Sequence, residues 1–282
     1  MRLLTTLLGL MATLMALPAT AQEGLEIIGK PIDRGIGFQP AATELARIFQ
    51  RLDGLILVII TIISIFVIGL VIYSLIRFNR RANPTPATFT HNSPLEVAWT
   101  IIPIVILIFI GTFSLPVLFK QQEIPEADIT IKVTGHQWYW GYEYVDHGFG
   151  FDSFLLQKDE LEEHGYSQRE WLLATDTAVV VPVGKTIVMQ VTAADVIHSW
   201  TIPAFGVKQD GVPGRLAELW FNAEREGVFF GQCSELCGKD HAYMPITVKV
   251  VSQEVYDDWL KGAIDEYADA GASDVIQIAS LN

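Results

Sequence analysis

The sequence predicts a membrane hairpin of two α-helices followed by an exported all-β domain that closes with a short helix. Three features carry that prediction: two long uncharged apolar runs, a cluster of arginines between them, and a series of short alternating segments after residue 121. In a chain of 282 residues, a mean hydropathy of +0.34 also points to membrane segments.

The chain opens on Arg2 and an apolar stretch that ends in Pro18-Ala19-Thr20-Ala21. A basic start, an apolar centre and an A-x-A ending predict a secretory signal over residues 1–21, cut before Gln22. Residues 22–51 then form an exported N-terminal segment. Leu55–Ile76 and Val97–Leu118 carry no charge. At about 1.5 Å per residue, each is long enough to cross a bilayer core of about 30 Å. Pro103 and Pro116 are tolerated there, as prolines often are in membrane helices. Arg77, Arg80 and Arg81 place the connecting loop in the cytoplasm. The hairpin is expected over 52–120, with both ends of the mature chain outside.

From residue 121 onward there are 26 Asp and Glu against 10 Lys and Arg, whereas residues 1–120 hold 6 against 9. An exported domain this acidic repels nucleic acid and anionic lipid and attracts basic partners. Ile129–Val133 and Ile246–Val250 alternate, and two further apolar segments flank a Pro-Val-Gly-Lys turn. Short strands broken by Gly and Pro predict a sandwich or Greek-key barrel over 121–251. Residues 252–282 read as a closing helix and tail, with Ser252 as N-cap and acidic residues in the first turn.

Both cysteines of the chain fall in one stretch, C-S-E-L-C-G-K-D-H-A-Y-M-P, from Cys233 to Pro245. Three readings compete for it. An oxidising compartment favours a disulfide. Cys233, Cys237, His241 and a further histidine suit zinc. Thiolate, imidazole and thioether together favour copper. Met244 tips the balance towards copper, because a thioether is a poor zinc ligand. His198, in an apolar run upstream of the loop, is the other candidate ligand.

These motifs together resemble subunit II of the haem-copper cytochrome c oxidases, in a bacterial version. The resemblance rests on Gly135-His136-Gln137-Trp138-Tyr139-Trp140, Val196-Ile197-His198-Ser199-Trp200, Pro213-Gly214-Arg215 and Gly231-Gln232-Cys233 through Met244-Pro245. They occur in order from the hairpin almost to the C-terminus. The polar stretch Gln157–Gln168 is not explained by it.

The resemblance implies a cupredoxin domain holding a dinuclear copper centre. Cys233 and Cys237 would bridge the two metals, with His198 and His241 capping one each. Met244 and the backbone carbonyl of Glu235 would be the weak ligands. The Glu235 side chain would hold a Mg²⁺ or Mn²⁺ shared with subunit I, a hard cation suited to a carboxylate. Trp138 would receive the electron from cytochrome c, docked on Glu143, Asp152, Asp176 and Asp195. Glu96, at the start of the second membrane helix, would stand at the mouth of a proton path, although a helix-end charge explains it equally well. The implied setting is the bacterial inner membrane, with the copper domain periplasmic and oxygen reduced in subunit I. A copper-free quinol oxidase subunit, a copper-delivery protein and a disulfide-bearing structural subunit are the rivals; the complete Cys/His/Met set argues against the first.

Overall fold

The computed structural model describes residues 24–279, with side chains described up to residue 267; the signal sequence expected over 1–21 lies outside them. The chain divides into two units. One is Arg47–Glu123, and the other joins the segment up to Ala46 to the chain from Ile124 onward.

The first unit consists of the apolar parts of helices α1 (Glu44–Arg77) and α2 (Ser93–Gln122). Their most apolar stretches reach mean hydropathies of 3.4 and 2.6, and none of those residues is buried. Uncovered apolar surface of that length requires lipid or partner helices around it. α2 begins on a reciprocal cap. Leu95 N donates to Asn92 Oδ1 and Asn92 N donates to Glu96 Oε1, each at 3.3 Å. Glu96 therefore stabilises the start of its own helix.

The second unit is a two-sheet β domain. Its strands are β1 (Ile27–Gly29), β2 (Ile129–His136), β3 (Tyr139–Tyr144), β4 (Phe149–Ser153), β5 (Val179–Pro182), β6 (Thr186–Ala193), β7 (His198–Ile202), β8 (Val207–Gly211), β9 (Ala217–Asn222), β10 (Gly227–Gln232) and β11 (Pro245–Val251). One sheet is ordered β4-β3-β2-β6-β9 and the other β1-β10-β11-β5, while β7 and β8 form a separate pair. The period-2 pattern of β2 turns Ile129, Ile131 and Val133 inward. The Pro-Val-Gly-Lys turn joins strands of different sheets: β5 pairs with β11, and β6 with β2 and β9. Between the sheets Trp140, Trp200, Phe205, Phe221 and Phe229 are fully buried. The Phe205 ring lies 4.7 Å from that of Phe221 and 4.8 Å from that of Phe229.

Helix α3 (Gln253–Ala279) starts on Ser252, whose Oγ accepts from Val255 N at 3.3 Å. Its aromatic face closes the sandwich, with Trp259 5.3 Å from Tyr144 and Tyr267 5.3 Å from Phe151.

The segment ahead of α1 is woven into this domain. β1 adds to the edge of β10 in parallel. Lys30 Nζ reaches Glu170 Oε1 at 2.7 Å. Thr43 Oγ1 donates to Phe205 O at 2.7 Å and caps α1 by accepting from Ala46 N. A fragment begun at residue 121 would lack these ties and expose β10 as an unpaired edge. Residues between β4 and β5 form a lobe with its own small core, in which Leu156, Leu161, Tyr166 and Ala174 pack on Val228 and Phe230.

Candidate metal centre

The loop between β10 and β11 carries five of the predicted ligands, counting the Glu235 carbonyl, and the start of β7 supplies the sixth. Two backbone bonds hold the loop: Cys233 N to Met244 O at 3.4 Å and Ser234 N to Ser199 O at 3.0 Å. The second ties it to the strand that bears His198. Strand β2 makes room for that imidazole with Gly135, where a Cβ would come within 2.8 Å of His198 Cγ. Trp140 borders the ring edge-on at 5.9 Å.

The donor atoms converge. Cys233 Sγ and Cys237 Sγ are 3.9 Å apart and both thiols are free. His198 Nδ1 lies 3.8 Å from Cys233 Sγ, and His241 Nδ1 lies 3.6 Å from Cys237 Sγ. Met244 Sδ is 3.5 Å from Cys237 Sγ, and Glu235 O is 3.4 Å from Cys233 Sγ. Donor atoms of His198, Cys233 and Cys237 all lie within 4.8 Å of one another, and all three residues are buried. A metal at about 2.3 Å from thiolate sulfur can touch both cysteines at this separation. Each sulfur has its own imidazole and its own weak donor, so the set could hold two metal ions. Soft sulfur with imidazole suits copper.

The electrostatics separate the two thiols. Burial opposes ionisation of Cys233, but its hydrogen bond with His198 and those with the backbone at Ser199 and Glu235 outweigh it and bring the thiol down to about 7. Burial and the neighbouring Cys233 charge push Cys237 up to about 12. One proton of the pair is thus released more readily than the other, and both must leave for a metal to bind both sulfurs.

Asp195 organises the surroundings. Its Oδ1 accepts from His198 Nε2 at 2.8 Å and from Val196 N at 2.6 Å, while Oδ2 accepts from Gln137 N at 2.7 Å. This fixes the tautomer that leaves His198 Nδ1 free to face Cys233, an arrangement typical of metal-bound histidine. Gln137 Nε2 and Trp138 Nε1 both donate to Cys237 O, at 2.8 and 3.3 Å. The half-buried Trp138 lies against the ligand loop, and a Cβ on Gly238 would stand 3.1 Å from its ring.

The other predicted residues occupy different settings. Glu143 is exposed and pairs with Lys132 at 3.0 Å. Asp152 is exposed beside Gly141. Asp176 Oδ1 accepts from Phe154 N at 2.8 Å and from Thr177 N at 2.6 Å, holding the base of the lobe. The Glu235 carboxylate meets Lys208 at 3.0 Å. Glu96 belongs to the helical unit. Sequence reasoning gave no role to Gly135, Gln137 or Lys208: the first two stand in the aromatic motif quoted above and Lys208 in none, and the partners of all three lie far along the chain.

Comparison with known proteins shows the family to which the chain belongs. The family model described as cytochrome c oxidase subunit II, periplasmic domain, matches residues 129–251, and that of the transmembrane domain matches residues 31–117. Cytochrome c oxidase subunit 2 of Cereibacter sphaeroides is 62% identical over 269 residues, covering 90% of this chain and 88% of that protein. A probable cytochrome c oxidase subunit 2 of Rickettsia bellii is 44% identical over 232 residues, covering 82% and 85%. The crystal structure of the periplasmic domain of subunit II of cytochrome oxidase (CoxB) of Bradyrhizobium japonicum is 50% identical; the match covers 51% of this chain and 99% of that one, with a TM-score of 0.47. With both of its parts matched and a relative of that identity spanning nearly its whole length, the chain belongs to the cytochrome c oxidase subunit II family.

Proposed function

We propose that this membrane subunit of a cytochrome c oxidase accepts electrons from cytochrome c at a dinuclear copper centre and delivers them to haem in subunit I. Oxygen reduction and proton pumping take place there. The observation that carries the reading is the donor set itself: two free thiols 3.9 Å apart, each with its own imidazole beside it. Cys233 and Cys237 would bridge two copper ions, His198 and His241 would cap them, and Met244 and the Glu235 carbonyl would be the weak ligands. When bound, the copper pair supplies a one-electron centre whose charge is shared over both metals.

The chain's own residues prepare that centre. Asp195 orients His198, Gln137 and Trp138 hold the Cys237 carbonyl, and burial keeps bulk water off the sulfurs. Trp138 is the surface group through which the electron arrives, and Glu143, Asp152, Asp176 and Asp195 attract the basic donor. Glu235 would share a Mg²⁺ or Mn²⁺ with subunit I, in exchange for its bond to Lys208. The signal over residues 1–21 would export the β domain to the periplasmic side of the bacterial inner membrane. Metal analysis and the optical and EPR spectra of the purified oxidase test the reading. Two copper ions at this site and a purple oxidised form are expected; one zinc, or a Cys233–Cys237 disulfide in the active enzyme, overturns it.

Two further outcomes follow from the geometry. Asp195→Ala removes the acceptor for His198 Nε2 and should lower copper retention by about 10–100-fold, the usual cost of losing a partner that orients a metal ligand. Retention against a chelator equal to wild type would show that the strand alone positions the histidine. Glu96→Ala should leave the copper spectrum intact while slowing proton uptake in the assembled oxidase. Uptake kinetics like those of wild type would leave Glu96 as the α2 cap described above.

A further inference from the structure

Beside Trp138 the surface opens into a groove of about 390 Å³, lined among others by Phe154, Trp171, Asp240 and Tyr243. Its outer wall comes from the lobe between β4 and β5, which includes the polar stretch Gln157–Gln168. The lobe is a firm wall. Its small core, the Leu155–Thr175 bridge and the Lys30–Glu170 pair hold it, and Tyr139 continues the aromatic surface by stacking on Phe154 at 4.7 Å. Trp171 is half-buried against that core and presents its ring at the groove.

A cation already sits on this ring. Lys158 Nζ lies 3.9 Å from the Trp171 ring centroid, and its backbone carbonyl accepts from Gln168 Nε2 at 2.8 Å. Exposed carboxylates follow it in the chain at Asp159, Glu160, Glu162 and Glu163. An aromatic face that holds an ammonium within about 6 Å of its centroid is a receptor for a basic side chain.

We propose that the Trp171 face is a lysine-receiving pocket of the electron donor's docking site, and that Lys158 is a built-in placeholder which the donor's lysine displaces. The inference rests on the reading of Trp138 as the point where electrons arrive, since the groove joins the two tryptophans. Lys158 then acts as a brake on docking: it occupies the ring and adds a positive charge in the path of a positive partner. Trp171 contributes to affinity and to the choice of donor, and has no part in conducting the electron.

The test uses the copper-loaded, assembled oxidase and a lysine-rich soluble cytochrome c over a salt series. In the Lys158→Gln background, Trp171→Leu should weaken donor affinity by about two- to five-fold, the size of an exposed cation–π contact; with Lys158 in place the loss should be smaller, because one ammonium replaces another on the ring. The copper spectrum should stay as in wild type. Lys158→Gln should tighten affinity, and Lys158→Arg, which keeps both charge and ring contact, should not. The decisive readout is the double variant. If the pocket exists, the gain from Lys158→Gln shrinks when Trp171 is Leu, because only the long-range charge effect remains. An equal gain in both backgrounds, or unchanged affinity on adding Trp171→Leu to Lys158→Gln, overturns the proposal. Should Trp171→Leu not assemble, Trp171→Phe serves in its place, with a smaller loss and the same logic. Failure of the underlying reading looks different: Trp138→Ala would then leave electron transfer within the bound complex at the wild-type rate, whatever the Trp171 variants do to affinity.

Discussion

Cys233→Ser and Cys237→Ser are each expected to abolish the purple copper centre. Oxidase turnover with cytochrome c should fall with it. The two sulfurs 3.9 Å apart are the frame on which every other donor is arranged, with His198 next to one and His241 and Met244 next to the other. A serine hydroxyl cannot replace either sulfur, since it stays protonated where a thiol ionises and is a hard ligand where copper prefers a soft one. The fold should survive, because the loop is held by backbone bonds at Cys233 N and Ser234 N that the change does not touch. Met244→Leu removes only a weak donor and should shift the spectrum while retaining metal. The thiols also set the direction of the pH dependence. Both protons must leave on metal binding, and that of Cys237 is held up to about 12 by burial and by the Cys233 charge. Copper uptake by the metal-free protein should therefore strengthen as pH rises and weaken as it falls. Metal content and absorption of the three variants measure all of this. A Cys233→Ser protein that still held two coppers and stayed purple would contradict the bridging role.

Much of the architecture was legible from local pattern. Uncharged runs of membrane length became the apolar parts of α1 and α2, the alternation of Ile129–Val133 became β2, and Ser252 caps the closing helix. What stayed hidden depends on contacts between distant parts of the chain. Nothing in Glu26-Ile27-Ile28-Gly29 says that it will pair with β10, about 200 residues on, because a three-residue strand has no period to detect. The turn at Pro182–Lys185 resembles a hairpin, yet its strands part into different sheets because each finds a longer apolar partner elsewhere. The metal donors were readable because cysteine, histidine and methionine crowd into thirteen residues. The residues that orient them were not. Asp195 was named only as a docking carboxylate, and its work on His198 and Gln137 appears once β7 and the β2–β3 turn are brought together.

Trp138→Ala should separate electron transfer from docking. The change removes no charge, so association with cytochrome c and its salt dependence should stay close to wild type. Transfer within the bound complex should drop on the order of a hundredfold, equivalent to about 2.7 kcal/mol of barrier. On the proposed route the ring is the aromatic bridge; it lies against the ligand loop, with its Nε1 donating to Cys237 O at 3.3 Å. Gln137 Nε2 still donates to that carbonyl at 2.8 Å, so the loop and the copper spectrum should hold. The carboxylates should behave in the opposite way. Glu143→Gln and Asp152→Asn should weaken association and flatten its salt dependence, because attraction between exposed charges is screened over about 8–10 Å at ordinary ionic strength. Their effect on transfer within the complex should be small. Asp176→Asn and Asp195→Asn should weaken association too. Each also carries a structural cost, since Asp176 holds the Phe154 backbone and Asp195 holds His198. Flash-photolysis kinetics across a salt series resolve the two steps in every variant. A bound-state rate in Trp138→Ala equal to wild type would make that ring a packing residue over the Cys237 loop and place the electron's route elsewhere.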